Sequence, residues 1–395
     1  MSWFTSKRTW IWAAAVMVAV LALGMLAAAL VGKMPAGQRL ALITPLGEWE
    51  TDPALWGRNF PRQYQSWLRT QESPREDIGY GPGRSKWGGL RPEQRDPGAA
   101  FLYAGYSLSR DSEGMPRAGK AGASRHPAVC LDCHDPKTMA LRVSRQAFVA
   151  AMTRRGVDVA RASRQSLRTY VCAQCHVTHS VFGPEEGPRM PWGRGLSSDD
   201  IVATYREDAA GFSDWTHAVS KAPMIRIRHP EFELWSQGIH AARGVSCADC
   251  HMPTQVEGST RISSHFVKSP LLAQVPASCM VCHHWGGKEL QVQVELIQDR
   301  TMALQKRAAM ALCAAHAAVG DCSRAGIPDQ PLIPVRALLR EAQARWDFIA
   351  AEGSVGFHAP QEAARVMAIA IDQARQAERD ALLLKAKIPG ELPKH

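Results

Sequence analysis

Ten cysteines stand in this chain of 395 residues, and eight of them form four Cys-x-x-Cys pairs, each followed at once by histidine. The motifs are Cys130-Leu-Asp-Cys133-His134, Cys172-Ala-Gln-Cys175-His176, Cys247-Ala-Asp-Cys250-His251 and Cys279-Met-Val-Cys282-His283. Thiols three residues apart lie on one face of a helical turn. Both therefore reach the two vinyl groups of one porphyrin, and the histidine that follows meets the iron as its proximal ligand. This is the attachment pattern of a c-type haem. One pair alone would serve zinc or a redox dithiol equally well. Four pairs, each with histidine directly behind, fit neither a zinc framework nor ordinary disulfides. The expected cofactors are four haem c groups.

The elements that carry these motifs follow an export segment. Lys7 and Arg8 precede an apolar run from Trp10 to Val31, about 22 residues and long enough to cross a bilayer. A secretory apolar core is shorter, about 7–15 residues, so an uncleaved anchor is expected in preference to cleavage at Ala27-Ala28-Ala29. The basic flank keeps the N-terminus inside and sends the rest out, to the periplasmic side where haem is attached. The formal charge is +10. Haem propionates are the nearer partner for that excess, and no basic run interleaved with aromatics suggests nucleic acid.

Residues 1–31 read as the anchor, 32–290 as a tetrahaem domain and 291–395 as a C-terminal helical region. Residues 32–100, rich in Pro, Gly, Trp and charge, read as irregular wrapping. Apolar periodicity predicts three helices, roughly Lys288–Val319, Ile333–Glu352 and Gln361–Lys387, punctuated by Gly320, Gly353 and prolines. The fold class is mainly α.

Further motifs carry a resemblance. Phe60-Pro-Arg-Gln-Tyr64-Gln-Ser-Trp67, Ala104-Gly-Tyr-Ser-Leu-Ser-Arg110-Asp111, Cys172-Ala-Gln-Cys-His-Val177, Pro191-Trp192, Phe212-Ser-Asp-Trp215 and Ser220-Lys-Ala-Pro-Met224 belong together. His229-Pro-Glu231 through Gly238-Ile-His240 to Cys247-Ala-Asp-Cys-His-Met-Pro253 follows, then Arg345-Trp-Asp347 and Gly356-Phe-His-Ala-Pro360. Over about Asn59 to Lys387 the chain resembles the ammonia-forming cytochrome c nitrite reductases. That family carries five haems, one of them a catalytic haem held by Cys-x-x-Cys-Lys. No such motif is present here, and the stretch between Asp111 and Cys130 is too short to hold it. Thr178 and His179 stand where the family has a calcium-ligating Glu and a catalytic Tyr. Arg226 and Arg228 stand where it has a Lys and a Gln around calcium, so no calcium is expected.

The resemblance also implies distal ligands. His265 would complete the Cys130/Cys133 haem, His358 the Cys247/Cys250 haem and His240 the Cys279/Cys282 haem. For the Cys172/Cys175 haem the matching segment reads Pro116-Arg-Ala-Gly-Lys120, without histidine. His126 is the better ligand there, Lys120 a weaker one, and an open iron the third alternative. The family's active-site histidine is retained as His229, which with His179 is the candidate catalytic pair. His217 and His284 read as polar surface or propionate contacts, and His316 as structural. Cys313 and Cys322 are expected to form a disulfide, with free buried thiols as the alternative.

Two functions follow. The first is electron transfer to or from a redox partner protein or a membrane quinol-oxidising cytochrome. The second is reduction of nitrite or hydroxylamine at an open Cys172/Cys175 iron, with His179 or His229 supplying protons. A homodimer through the C-terminal helices is expected on either.

Overall fold

The computed structural model describes residues 7–33, 42–72, 128–181, 188–208 and 211–387. Its helices are α1 (Lys7–Lys33), α2 (Pro53–Asn59), α3 (Pro61–Glu72), α4 (Cys130–Cys133), α5 (Gln146–Arg154), α6 (Arg164–Ala173), α7 (Ser198–Arg206) and α8 (Glu231–Trp235). They continue with α9 (Ile239–Ala242), α10 (Cys247–His251), α11 (Pro270–Ala273), α12 (Val275–Ser278), α13 (Gly287–Arg324), α14 (Asp329–Ala350) and α15 (Pro360–Ala386). Among the described residues the strands form three antiparallel pairs: Ser180–Val181 with Pro188–Arg189, Trp215–Thr216 with Pro223–Met224, and Thr254–Glu257 with Thr260–Ser263. The molecule is mainly α, as the periodicity predicts.

α1 runs as one helix, and its described side chains, at 12 and 14–26, are exposed. Among the described residues no helix is long and apolar enough to cross a membrane.

The three C-terminal helices pack on one another through small side chains. Ala308, Ala311, Leu312, Ala315 and Val319 of α13 are buried at helical spacing. Ala363, Val366, Met367, Ala370, Ala374, Ala377 and Ala381 do the same on α15. Steps of three and four residues make each run one stripe, and alanine lets the backbones approach closely. A larger residue at Ala370 would overpack this seam, at a cost of about 1–3 kcal/mol.

The predicted helix boundaries hold within two residues except at Gly320 and at the start of α14, which begins at Asp329, four residues before Ile333. α13 continues through Gly320 to Arg324. The glycine is there for packing, because a Cβ at 320 would lie 2.5 Å from Val219 Cγ1. Pro331 and Pro334 lie within the first two turns of α14, where a missing N–H removes few helix bonds.

The disulfide expected between Cys313 and Cys322 does not form. Both are free thiols on the single helix α13. Nine residues at about 1.5 Å rise separate them by roughly 13 Å, beyond disulfide reach. The Cys322 thiol instead donates to the Ala381 carbonyl at 3.1 Å.

A second core lies beneath the haem motifs. Phe148, Trp192 and Phe232 meet edge-on or tilted with centroids 5.9–6.0 Å apart, and Met152, Val159 and Val177 close around them.

Candidate haem-binding site

Each attachment motif folds as one helical turn. The backbone N–H of His134 donates to the Cys130 carbonyl at 2.9 Å, that of His176 to Cys172 at 3.0 Å and that of His283 to Cys279 at 2.9 Å. In two motifs the residue before the second cysteine is aspartate, and it caps the turn. Asp132 Oδ2 accepts the Val129 N–H at 2.9 Å, and Asp249 Oδ2 accepts the Ser246 N–H at 2.7 Å. These donors are orphans of a helix start, and an acidic oxygen there also suits the helix dipole.

The same intervening residues lock neighbouring motifs together. Asp132 pairs with buried Arg145 at 2.9 Å. Gln174, between Cys172 and Cys175, donates to the Asp132 carbonyl at 2.9 Å and accepts from the N–H groups of Ser144 and Arg145. Arg168 on α6 reaches Asp249 at 2.8 Å. The sulfurs follow the same succession. Cys133 neighbours Cys175, Cys172 neighbours Cys247, and Cys250 neighbours Cys279. Burial pushes the thiols of Cys130 up to about 11 and of Cys133 and Cys250 up to about 12. Such thiols are not poised as a redox dithiol.

Three histidine pairs face one another. The ring centroids of His134 and His265 are 6.2 Å apart, of His240 and His283 6.3 Å, and of His251 and His358 6.4 Å. An iron between two imidazoles, with metal–nitrogen bonds of about 2 Å on each side, sets the centroids roughly 6 Å apart. The outer nitrogens are engaged. His134 Nδ1 lies 3.0 Å from the Met139 carbonyl, His265 Nδ1 3.0 Å from that of Ser263, and His251 Nδ1 3.1 Å from that of Lys268. Donation through Nδ1 leaves Nε2 as the free ligand atom. His358 Nδ1 stands 2.6 Å from the buried Glu352 carboxylate. Gly238 makes one of these pairs possible, since a Cβ there would lie 1.9 Å from the His358 carbonyl oxygen. The donor set and spacing fit haem c.

The fourth motif differs. His126 and Lys120 lie outside the described residues. His229 stands beside His176, with centroids 6.0 Å apart. Spacing alone would suit an iron, but the nitrogens do not. Nδ1 of His176 is 3.6 Å and Nδ1 of His229 3.8 Å from the two oxygens of one carboxylate, Glu231. Each ring turns its Nδ1 to one shared carboxylate. His229 therefore flanks His176 and does not face it across an iron. Its backbone is held at φ 48°, a left-handed conformation unusual outside glycine.

His179 is buried beside this cluster, and burial pushes its imidazole down to about 4. Sequence reading missed the acid next to it. Glu233 is fully buried, and one oxygen accepts the Thr178 N–H and the Trp192 Nε1–H, each at 2.9 Å. Burial pushes its carboxyl up to about 8. A Glu two residues from another Glu reads as a solvated helix face, and only the fold buries it. His217 is likewise buried, not at the surface: its ring stacks on His316 at 3.7 Å. His284 is exposed.

Successive Cys-x-x-Cys-His turns with paired histidines, on a mainly helical scaffold, define a multihaem c-type cytochrome. The cytochrome c552 family model matches residues 118–390, and the chain belongs to that family, the cytochrome c nitrite reductases. It is 31% identical to a cytochrome c-552 of Parabacteroides distasonis, over 97% of this chain and 87% of that protein. A Bacteroides fragilis cytochrome c-552 is 33% identical over 82% and 75%. Among solved structures, the catalytic subunit of cytochrome c nitrite reductase from Desulfovibrio desulfuricans, described with two calcium sites, superposes with a TM-score of 0.72. That match has 26% identity and covers 86% of this chain and 88% of the other.

Proposed function

We propose that the protein is a tetrahaem electron-transfer cytochrome, anchored by α1 on the periplasmic side of the membrane. The observation that carries this reading is the spatial succession of the four motifs in chain order, with Gln174–Asp132 fastening the first two turns and Arg168–Asp249 the second and third. Haem c supplies one-electron chemistry at potentials that its axial ligands and burial adjust. The chain's part is to hold the histidine pairs and fix their outer nitrogens. The partner is a redox protein or a quinol-oxidising membrane cytochrome. A homodimer is supported by exposed apolar side chains on the long helices, among them Met310, Leu382 and Leu383.

The chain is further proposed to bind no calcium. Arg228 holds the ground beside Thr178, paired at 2.8 Å with Asp214, and a second cation there would be repelled.

A second reading is supported by the cluster of His179, His229, Glu231 and Glu233 beside His176. A reductase acting on nitrite or hydroxylamine needs protons delivered to an open iron, and this cluster is the group that would hold them. A spectrum of the oxidised protein separates the two readings. Four low-spin haems with no rapid cyanide binding support the wire. One high-spin haem, with ammonia formed from nitrite at about 10 per second or faster, would establish the reductase instead.

A further inference from the structure

The histidine that faces the third motif is held unlike the others. His134, His265 and His251 turn Nδ1 to backbone carbonyls. His358 turns Nδ1 to the carboxylate of Glu352, 2.6 Å away, and that side chain has no exposed surface. Among the described residues no lysine or arginine pairs with Glu352. Its other contacts are neutral. Oε1 accepts the Ser354 N–H at 3.1 Å, and Oε2 accepts the Ser354 hydroxyl at 2.7 Å and the Gly356 N–H at 3.2 Å. Ser354 Oγ in turn accepts the backbone N–H of His358 at 2.9 Å. Residues 352–358 thus fold into one small loop that carries both the acid and the imidazole. The loop is strained. Val355 sits at φ 55°, a left-handed conformation that a β-branched residue rarely adopts, and Gly356 follows at φ 81°. Strain of this kind persists where the surroundings over-determine it, and here it fixes a carboxylate behind a ligand.

A carboxylate behind a metal-bound imidazole draws the Nδ1 proton toward itself and makes the ring a stronger electron donor. Ferric iron carries one more positive charge than ferrous. A basic ligand and a buried, uncompensated negative charge therefore both favour the oxidised state, and low dielectric strengthens the effect. A backbone carbonyl brings no net charge to do this. We propose that Glu352 is a positioning residue that tunes His358, and that it holds the Cys247/Cys250 haem below the Cys130/Cys133 haem in reduction potential. The inference rests on the haem-ligand reading of His358 above and goes further by assigning an order of potentials and the residue that sets it.

The test is a redox titration of the haem-loaded protein, followed haem by haem with electron paramagnetic resonance. The low-spin signal that His358→Ala removes marks the Cys247/Cys250 haem, and the one that His265→Ala removes marks the Cys130/Cys133 haem. Glu352→Gln keeps the shape and an oxygen for the loop N–H groups but loses the charge. In that variant the marked haem should stay low-spin, and its ratio of reduced to oxidised iron at a fixed potential should rise roughly tenfold, a shift of about 59 mV for one electron. The Cys130/Cys133 haem should not move. Glu352→Asp keeps the charge and should shift the ratio less than Glu352→Gln does. A change under about twofold in Glu352→Gln overturns the inference, as does a high-spin signal there, which would show that the acid only holds the ligand in place. The wild type gives a reading that needs no stable Glu352 variant: the Cys247/Cys250 haem must be reduced at lower potential than the Cys130/Cys133 haem, and the reverse order overturns the inference. If His358→Ala creates no high-spin haem, the ligand reading itself falls. An unchanged potential in Glu352→Gln beside a high-spin haem in His358→Ala removes only the tuning.

Discussion

Arg168 on the helix of the second attachment motif lies 2.8 Å from Asp249, the residue before the second cysteine of the third motif. One carboxylate thus caps its own turn through Ser246 and ties that turn to the preceding haem helix. Asp249→Ala should cost about 1 kcal/mol as a lost cap, with little more from the partly exposed ion pair. Urea denaturation of the loaded protein checks the magnitude. Intact-mass measurement should show a fraction of chains lacking one haem, whereas Arg168→Ala leaves haem content unchanged.

The facing histidines make separate predictions for separate irons. Replacing His265, His358 or His240 with Ala should each convert one low-spin haem to high spin and leave the others as they are. Electron paramagnetic resonance reads the count directly. Because His229 shares a carboxylate with His176 and does not face it, His229→Ala should create no high-spin haem. A high-spin signal in that variant would make His229 an axial ligand after all.

Acid should weaken the C-terminal helices through His316. It is buried, hydrogen-bonds Ser220 and Gln343, and stacks on His217, and burial pushes it down to about 3. The unfolded chain binds that proton near pH 6.5, so the folded state binds fewer protons between those values. Stability is full above roughly pH 6.5 and falls as pH drops toward 3, by up to about 1.4 kcal/mol per pH unit for this one group. Denaturation curves across this range should lose part of their slope in His316→Gln.

With eight sulfurs consumed in thioether bonds, the loaded protein has two thiols left. A thiol reagent should titrate two per chain in denaturant without any reductant. In the folded protein Cys313 should react first, because Cys322 is wholly buried. Requiring a reductant to reach two would restore the disulfide.

Residue type and spacing alone determine the haem chemistry here. Covalent attachment needs only two thiols and an imidazole on one helical turn, so Cys-x-x-Cys-His is complete within five residues. The long C-terminal helices are equally local, since an apolar stripe every three or four residues declares its own face. Gly320 shows where local reading stops: it looks like a terminator, and only the approach of Val219 shows that it serves packing inside a helix. The distal sides of the irons are non-local by nature, because His134 and His265 meet from positions far apart in the chain. The unbroken helix through Gly320 keeps Cys313 and Cys322 apart, and tertiary structure decided that His217 and Glu233 are buried and that His179 and His229 gather around the carboxylates beside His176. Burial depends on what the rest of the chain packs over a side chain, and that information is written in no short stretch of sequence.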